Sequence, residues 1–286
     1  MPPRPAFLSK PMAAATSGAP APVSGGVRLV PLAQLTASNS WRLSLQHDRP
    51  ENLLVWFTRG QGRVTVNGVR RGIGAHNAIY LPARTLIAIE PGPQSLAQVL
   101  ISPTGLTGQL PHRPVHLRVR ESLAQGELTA ELDAIQRELR EDRPYMAAAL
   151  QARIGLVAVW LHRQVEAGSS DAPRETAAHR LVKRFAARVV AQYNTDQTMA
   201  EHAEALNVTP THLTRVCREA CGLTAADILT QRRLYEARLR LAQPRPAIQD
   251  IASDLGFTSA AYFTRFVQQH TGMTPSALRA QGAQVR

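Results

Sequence analysis

Apolar positions along the chain change their period once, and the change divides it in two. Between residues 41 and 102 they fall in short runs separated by turn signals: Trp41–His47, Asn52–Gly60, Gly62–Gly72, Asn77–Pro82, Leu86–Pro91 and Leu96–Ser102. Six runs of strand length at this spacing predict a small antiparallel barrel or sandwich over residues 27–110. Asn67–Gly68 between Val-rich arms predicts a two-residue hairpin turn, because both residues tolerate positive φ. The period then lengthens. Leu128, Leu132, Ile135 and Leu139, and after them Met146, Leu150, Ile154, Val157 and Leu161, step by three and four. Pro144 breaks the two series, so residues 111–166 are expected to form a helical hairpin that covers the barrel or makes a dimer interface. Residues 167–176 are polar, with small residues and a proline, and read as a linker. Residues 177–286 read as helices throughout, and residues 1–26, rich in Pro, Ala, Ser and Gly, as a flexible tail.

The helical half repeats itself. Ala203, Leu206, Val208 and Thr209 match Ala252, Leu255, Phe257 and Thr258 at an offset of 49. One extra residue then enters the turn. Leu213, Thr214, Arg215, Gly222 and Thr224 match Phe263, Thr264, Arg265, Gly272 and Thr274 at an offset of 50. The pattern is that of a duplicated supersecondary unit. Each copy predicts a helix, a tight turn and a second helix. Thr198 and Glu201 have the spacing of a capping box, Thr209–Pro210 that of an N-cap followed by proline at the first helical position, and Gly222 that of a left-handed helix end. Ala247 stands where a capping Ser or Thr is common, so the helix from Ile248 is expected to start less firmly. The triads Leu213, Val216, Cys217 and Phe263, Phe266, Val267 point inward. Thr211, Thr214 and Arg215 then point outward in one copy, and Ala261, Thr264 and Arg265 in the other. A helix-turn-helix puts the front half of its second helix into the major groove. There Arg grips a guanine edge in bidentate fashion, Thr meets bases or phosphates, and Ala meets a thymine methyl.

Charge agrees with an anionic partner. Lys and Arg number 33 against 21 Asp and Glu, a net charge of +12, and only Lys10 and Lys183 are lysines. From Arg174 onward, 15 basic residues face 9 acidic ones, so half of the excess sits in the last 113 residues. Such a balance favours a polyanion or an anionic surface. The two cysteines, Cys217 and Cys221, do not suit a disulfide-stapled secreted domain; spaced by four on a helix, they read as small apolar fillers or, in the alternative, as an oxidant-sensing pair. No run approaches the ~20 apolar residues of a membrane span, and the opening residues lack the apolar core of a signal peptide. A cytoplasmic protein is expected.

The stretch Ile251–Arg279, with Ala252, Leu255-Gly256-Phe257, Tyr262-Phe263, Arg265-Phe266, Gly272 and Thr274-Pro275, resembles the signature of the AraC/XylS family of bacterial transcription regulators. The likeness extends back through Ile228–Leu241 to Thr198. It implies two helix-turn-helix subdomains joined by a long helix and reading adjacent major grooves of double-stranded DNA. Carried over to this sequence, the DNA-contacting set is Thr211, Thr214, Arg215 and Arg218 in the first unit, and Ala260, Ala261, Thr264 and Arg265 in the second. Family members often carry polar residues where this chain has Ala260 and Ala261, and basic ones where it has Gln268 and Gln269. Both departures remove contacts from the second unit, so the first is expected to discriminate more between sequences.

The strand-rich half is similar to the cupin-like barrel found before the DNA-binding half in many members of that family. The resemblance implies a pocket for a small-molecule effector and often dimerisation, here as a homodimer; the effector is then expected to alter promoter occupancy or contact with RNA polymerase, the chain being read as an activator. The effector candidates are Trp41, His47, Trp56, His76, Tyr80 and Arg84. The fold class expected is α+β multidomain: an N-terminal cupin-like β-barrel with a helical hairpin, then a C-terminal all-α double helix-turn-helix. Two other readings remain open: a DNA-binding architectural protein without an effector, and a metal-dependent cupin enzyme. The enzyme reading needs His and carboxylate side chains converging around an open position, and the nearest set, His47, His76, His112 and His116, contains no His-x-His pair. No G-x-S-x-G elbow or phosphate-gripping loop occurs, so no catalytic residue, metal ligand or cofactor is assigned.

Overall fold

The computed structural model describes residues 26–36, 40–170 and 175–284; the tail expected over 1–26 lies almost wholly outside the described residues. The first half runs β1 (Arg28–Pro31), α1 (Leu32–Thr36), α2 (Trp41–Ser44), β2 (Asn52–Arg59), β3 (Gly62–Val66), β4 (Val69–Ile73), β5 (Asn77–Leu81), β6 (Ile87–Pro91), β7 (Leu96–Ser102) and β8 (Val115–Arg118). These strands form two antiparallel sheets, β1-β7-β2-β5-β8 and β4-β3-β6.

The sheets face each other as a sandwich. They do not close into the barrel that the strand count suggested. The two edge strands of the larger sheet, β1 and β8, are only four residues long, and each pairs with one neighbour in that sheet. Between the sheets Leu53, Val55, Phe57, Ile79, Leu81, Val99 and Ile101 meet Val64, Ile73, Ile87 and Ile89. The other face of the larger sheet, with Leu54, Trp56, Ala78, Tyr80, Leu100 and Leu117, packs under a helical hairpin of α3 (Ser122–Glu141) and α4 (Met146–Glu166). Strand β2 is thus buried on both faces, which is why Leu53–Phe57 reads as a continuous apolar run and not as an alternating one.

Two sequence expectations change here. Trp41–His47 alternates like a strand, but it begins as the short helix α2, with Leu43 as its buried residue. Residues 115–118, placed by pattern in the helical hairpin, are strand β8 at the edge of the larger sheet.

The second half is helical: α5 (Ala177–Gln192), α6 (Met199–Glu204), α7 (Pro210–Cys221), α8 (Ala225–Leu241), α9 (Ile248–Asp254), α10 (Ala260–Thr271) and α11 (Pro275–Gln284). It contains two cores. Phe185, Val189, Ala203, Leu206, Leu213, Val216 and Cys217 form the first with the front of α8, and Ile251, Leu255, Phe257, Phe263 and Val267 form the second with its back. Leu86, from the loop before β6, is buried in the first of these cores, so the sandwich and the helical half share apolar packing. The Asn67–Gly68 turn adds to that contact. A Cβ on Gly68, at φ +73°, would lie 2.5 Å from Val182 Cγ1 of α5, so glycine is required there for fit as well as for conformation.

Candidate nucleic-acid interface

Local capping fixes both units. Thr198 and Glu201 close a reciprocal capping box at the start of α6, and Thr224 and Asp227 do the same for α8. Thr209 Oγ1 accepts from His212 N at the start of α7, with Pro210 next. In the second unit the equivalent cap is Ser259, whose Oγ accepts from Tyr262 N. The matching of Thr209 with Thr258 is therefore corrected: the extra residue is Thr258 itself, and the caps Thr209 and Ser259 already stand at the offset of 50. Ala247 gives α9 no side-chain cap, as its sequence implies. Gly222 and Gly272 end α7 and α10 at φ +81° and +72°.

The inter-helix turns differ in residue type but not in conformation. Asn207 and Gly256 both take left-handed backbone, at φ 57° and +74°. Gly256 has a second constraint. A Cβ there would sit 2.6 Å from the Thr195 carbonyl oxygen, in the loop that joins α5 to the first unit. Arg233 of α8 holds the same loop by donating to the carbonyl oxygens of Tyr193 and Thr195. The two units are therefore fixed to each other by α8 and by this close contact.

With the inward triads buried (Leu213, Val216 and Cys217 in α7; Phe263 and Val267 in α10), the opposite faces are open to solvent. On α7 these carry Thr211, Arg215 and Arg218 exposed and Thr214 half-buried; on α10, Ala260, Ala261 and Arg265 exposed and Thr264 half-buried. Each predicted set thus shares one solvent face of one helix. Arg215 is held in place: its Nη1 donates to Glu219 Oε1 at 2.6 Å, and its Nη2 lies 3.2 Å from His212 Nδ1. His212, exposed at the front of α7, belongs to this face although the sequence reading passed over it; its position three residues after the cap was the available signal. Thr264 Oγ1 donates to Ala260 O within its own helix. Arg265 has no hydrogen-bond or ion-pair partner among the described residues.

The six effector candidates do not converge. Trp56 and Tyr80 lie under the α3–α4 hairpin on the outer face of the larger sheet, with His76 beside Trp56 at a ring separation of 6.0 Å. Trp41, His47 and Arg84 lie instead where the sandwich meets α8. His47 stacks on Tyr235 at 4.4 Å, Trp41 meets the edge of the same ring, and Arg84 pairs with Asp48. None of the six contributes to the apolar core between the sheets.

Other chemistry is quiet. Burial pushes the Cys217 thiol up to about 12 and raises that of Cys221, so burial disfavours the reactive thiolate at both. His116 meets Asn77 Oδ1 within the larger sheet. Among the described residues no three His, Cys, Asp or Glu side chains gather to hold a metal ion, and no helix is long and apolar enough to cross a membrane.

Comparison with known proteins places residues 202–281 under a family described as a helix-turn-helix domain. The transcriptional activator RhaR of Escherichia coli is 26% identical over 165 residues, 57% of this chain and 57% of RhaR. The bifunctional transcriptional activator and DNA repair enzyme AdaA of Bacillus subtilis is 32% identical over 82 residues, 29% of this chain and 39% of AdaA. The chain thus spans about half the length, or less, of these curated relatives. Among solved structures, ToxT of Vibrio cholerae with a bound unsaturated fatty acid superposes with a TM-score of 0.43 at 11% identity, covering 88% of this chain and 94% of ToxT.

Proposed function

From the premise that this chain belongs to the AraC/XylS family of transcription regulators, we propose that it reads specific duplex DNA with α7 and α10 and regulates transcription there, as an activator, in response to a small molecule. One observation carries the DNA reading. Two separately capped helices present Thr214–Arg215 and Thr264–Arg265 at equivalent positions of their open faces, 50 residues apart. Arg215 and Arg265 are the base-reading or phosphate-clamping groups; Thr211, Thr214 and Thr264 supply shorter polar contacts; Ala260 and Ala261 let the tip of α10 approach closely; Arg218 adds a phosphate contact. Helix α8 has 17 residues and is about 25 Å long at 1.5 Å per residue. It spans most of the ~34 Å between successive major grooves on one face of DNA.

A homodimer is supported by α4, which leaves Leu156, Val159 and Val165 exposed. Activation would proceed through contact with RNA polymerase in the cytoplasm. The test is in vitro selection of duplex DNA by the purified chain, with the Arg215→Ala/Arg265→Ala double variant alongside. A motif covering two adjacent major-groove segments, lost in the variant, supports the reading. Salt-sensitive binding without enrichment, unchanged in the variant, rejects it in favour of backbone attraction alone.

A further inference from the structure

The reading helix of the first unit ends against the sandwich. Thr211, Arg215, Arg218 and Gly222 follow one another at steps of four, three and four, so they form one stripe along the open side of α7. At the end of that stripe stands a side chain of the other half: Arg70 Nη1 of β4 lies 3.5 Å from where a Cβ on Gly222 would be. Its charge also acts on Cys221, the last residue of the helix. Arg70 belongs to the outer face of the smaller sheet, because the ladders pair Thr65 with Arg70 and Ala88, and Arg63 with Gly72 and Glu90, opposite to the inward Val64 and Ile89. Thr65 and Ala88 are buried, whereas Arg63, Arg70 and Gly72 are exposed. The face is thus covered near the Asn67–Gly68 turn and open towards Arg63. Arg70 Nη2 donates to both carboxylate oxygens of Glu90, at 3.1 and 3.2 Å. Arg63 has no hydrogen-bond or ion-pair partner among the described residues.

Dimensions bring this face to DNA. Helix α7 has 12 residues and is about 18 Å long, while the major groove is about 12 Å wide and about 8.5 Å deep. A reading helix that meets base edges with its N-terminal residues therefore brings its back end out of the groove, beside the phosphates of the wall. The last carbonyls of a helix carry partial negative charge, which phosphates repel. Here Arg70 stands over that end, with Arg63 beside it on the same face. We propose that the sandwich is itself part of the DNA interface, with Arg63 and Arg70 contacting backbone phosphates at the edge of the groove that α7 occupies. The inference deepens the DNA reading above and rests on it. Such contacts add affinity and register but no sequence information. An exposed ion pair like Arg70–Glu90 is weak, so a phosphate draws Arg70 from Glu90 at little cost. The contact also couples the two halves: any shift of the sandwich on α7 changes affinity for DNA directly.

Binding of the full chain to duplex DNA over a range of salt tests this, in wild type, Arg63→Ala, Arg63→Ala/Arg70→Ala and Arg137→Ala. Arg137 is exposed on α3, beyond the far face of the larger sheet, and controls for the loss of one positive charge. Each phosphate contact removed lowers the slope of log affinity against log salt by about 0.9. The expected slope is smaller by about one in Arg63→Ala and by about two in the double variant, with affinity down severalfold. The ranking of operator over single-base mismatches stays unchanged, and Arg137→Ala behaves as wild type. Neutral methylphosphonates at the phosphates flanking the α7 half-site weaken wild type and leave the double variant unaffected. A wild-type slope in the double variant, an equal fall in Arg137→Ala, an altered ranking, or tighter binding, which would mean that the sandwich obstructs DNA, each overturns the contact. The same series on random duplexes separates this contact from the reading it rests on. A slope change without any preferred sequence rejects the regulator and leaves the contact. A preferred sequence that is lost in Arg215→Ala/Arg265→Ala, with no slope change in Arg63→Ala/Arg70→Ala, rejects the contact and leaves the regulator.

Discussion

Arg232 Nε donates to Asp48 Oδ1 at 2.7 Å across 184 residues of sequence, with both side chains almost wholly buried. The pair joins the sandwich to α8, the helix that carries both helix-turn-helix units, and it lies inside a larger charged group. Arg84 Nη1 reaches Asp48 Oδ2 at 3.1 Å, Arg232 Nη1 reaches Glu236 at 3.1 Å, and Arg240 links Glu236 to Asp254 of α9 at 2.9 Å on each side. The Arg232 guanidinium also lies 3.7 Å from the centre of the Tyr193 ring. Burial opposes the charge on Arg232, but Asp48, Tyr193 and Glu236 outweigh it and raise its pKa. A continuous polar path therefore runs from the sandwich to the second DNA-reading unit.

Removing one member of a buried pair leaves the other charge uncompensated, at a cost of about 3–5 kcal/mol. Asp48→Ala is expected to lower the stability of the docked chain by about 3 kcal/mol, and Asp48→Ala with Arg232→Met by clearly less than the sum of the two single changes. Urea unfolding of the four proteins checks this. Additive losses would show that the two groups are not coupled.

Acid acts on the same junction through His47. Burial is the main cause that lowers its pKa to about 4, and Arg49 and Arg232 lower it further, against Leu45 O and Asp48, which raise it. Its ring is stacked on Tyr235, and Nε2 has no partner among the described residues. The folded pKa lies below the unfolded value of 6.5, so His47 contributes full stability above pH 6.5, and this is lost as pH falls towards 4. At pH 5 the expected loss is about 2 kcal/mol. His202, buried in the first helix-turn-helix core against Phe185, has its pKa lowered chiefly by burial and adds a loss of the same sign. Comparing the pH 7 to pH 5 stability difference in wild type and His47→Gln measures the effect; an unchanged difference contradicts the assignment.

The turns make a paired prediction. Gly256→Ala puts a Cβ 2.6 Å from the Thr195 carbonyl oxygen at a left-handed φ, and strain of about 1–3 kcal/mol plus the steric displacement should follow. Asn207→Gly, at the equivalent φ of 57° in the first unit, should change stability by only a few tenths of a kcal/mol. Equal effects at both positions would mean that the close contact of the second turn with the α5–α6 loop does not matter.

Features that depend on near neighbours in sequence were legible before the structure. The caps at Thr198, Thr209 and Thr224, the glycine ends at 222 and 272, and the Asn67–Gly68 hairpin follow from local residue chemistry. What depends on packing between distant segments was not. The strands β1 and β8 are four residues long and are defined by the ladders they join. Trp41–His47 alternates, but tertiary contacts decide its form: Arg238 of α8 lies 4.7 Å from the Trp41 ring, and His47 stacks on Tyr235. Trp56 and Tyr80 could not be assigned to a sheet face, because β2 and β5 are buried on both. Asp48 and Arg232 carry no mark in the sequence that pairs them.

The last prediction ranks the two reading helices. Arg215 is aimed by Glu219 and His212 on an exposed face, and an exposed pair of this kind contributes only about 0.3–0.5 kcal/mol. DNA can therefore take the guanidinium from Glu219 at little cost while its direction is already set. Arg265 has no such guide, and its neighbours towards the tip, Ala260 and Ala261, offer no hydrogen bonds. Arg215→Ala is expected to remove about 1–3 kcal/mol of discrimination between operator and mismatched DNA. Arg265→Ala is expected to remove less and to weaken binding more evenly across sequences. Glu219→Ala should strengthen binding to all duplexes and relax the sequence preference. Binding of the three variants to one operator and its single-base mismatches at fixed salt decides the matter, and a larger loss of discrimination from Arg265→Ala would reverse the order of the two units.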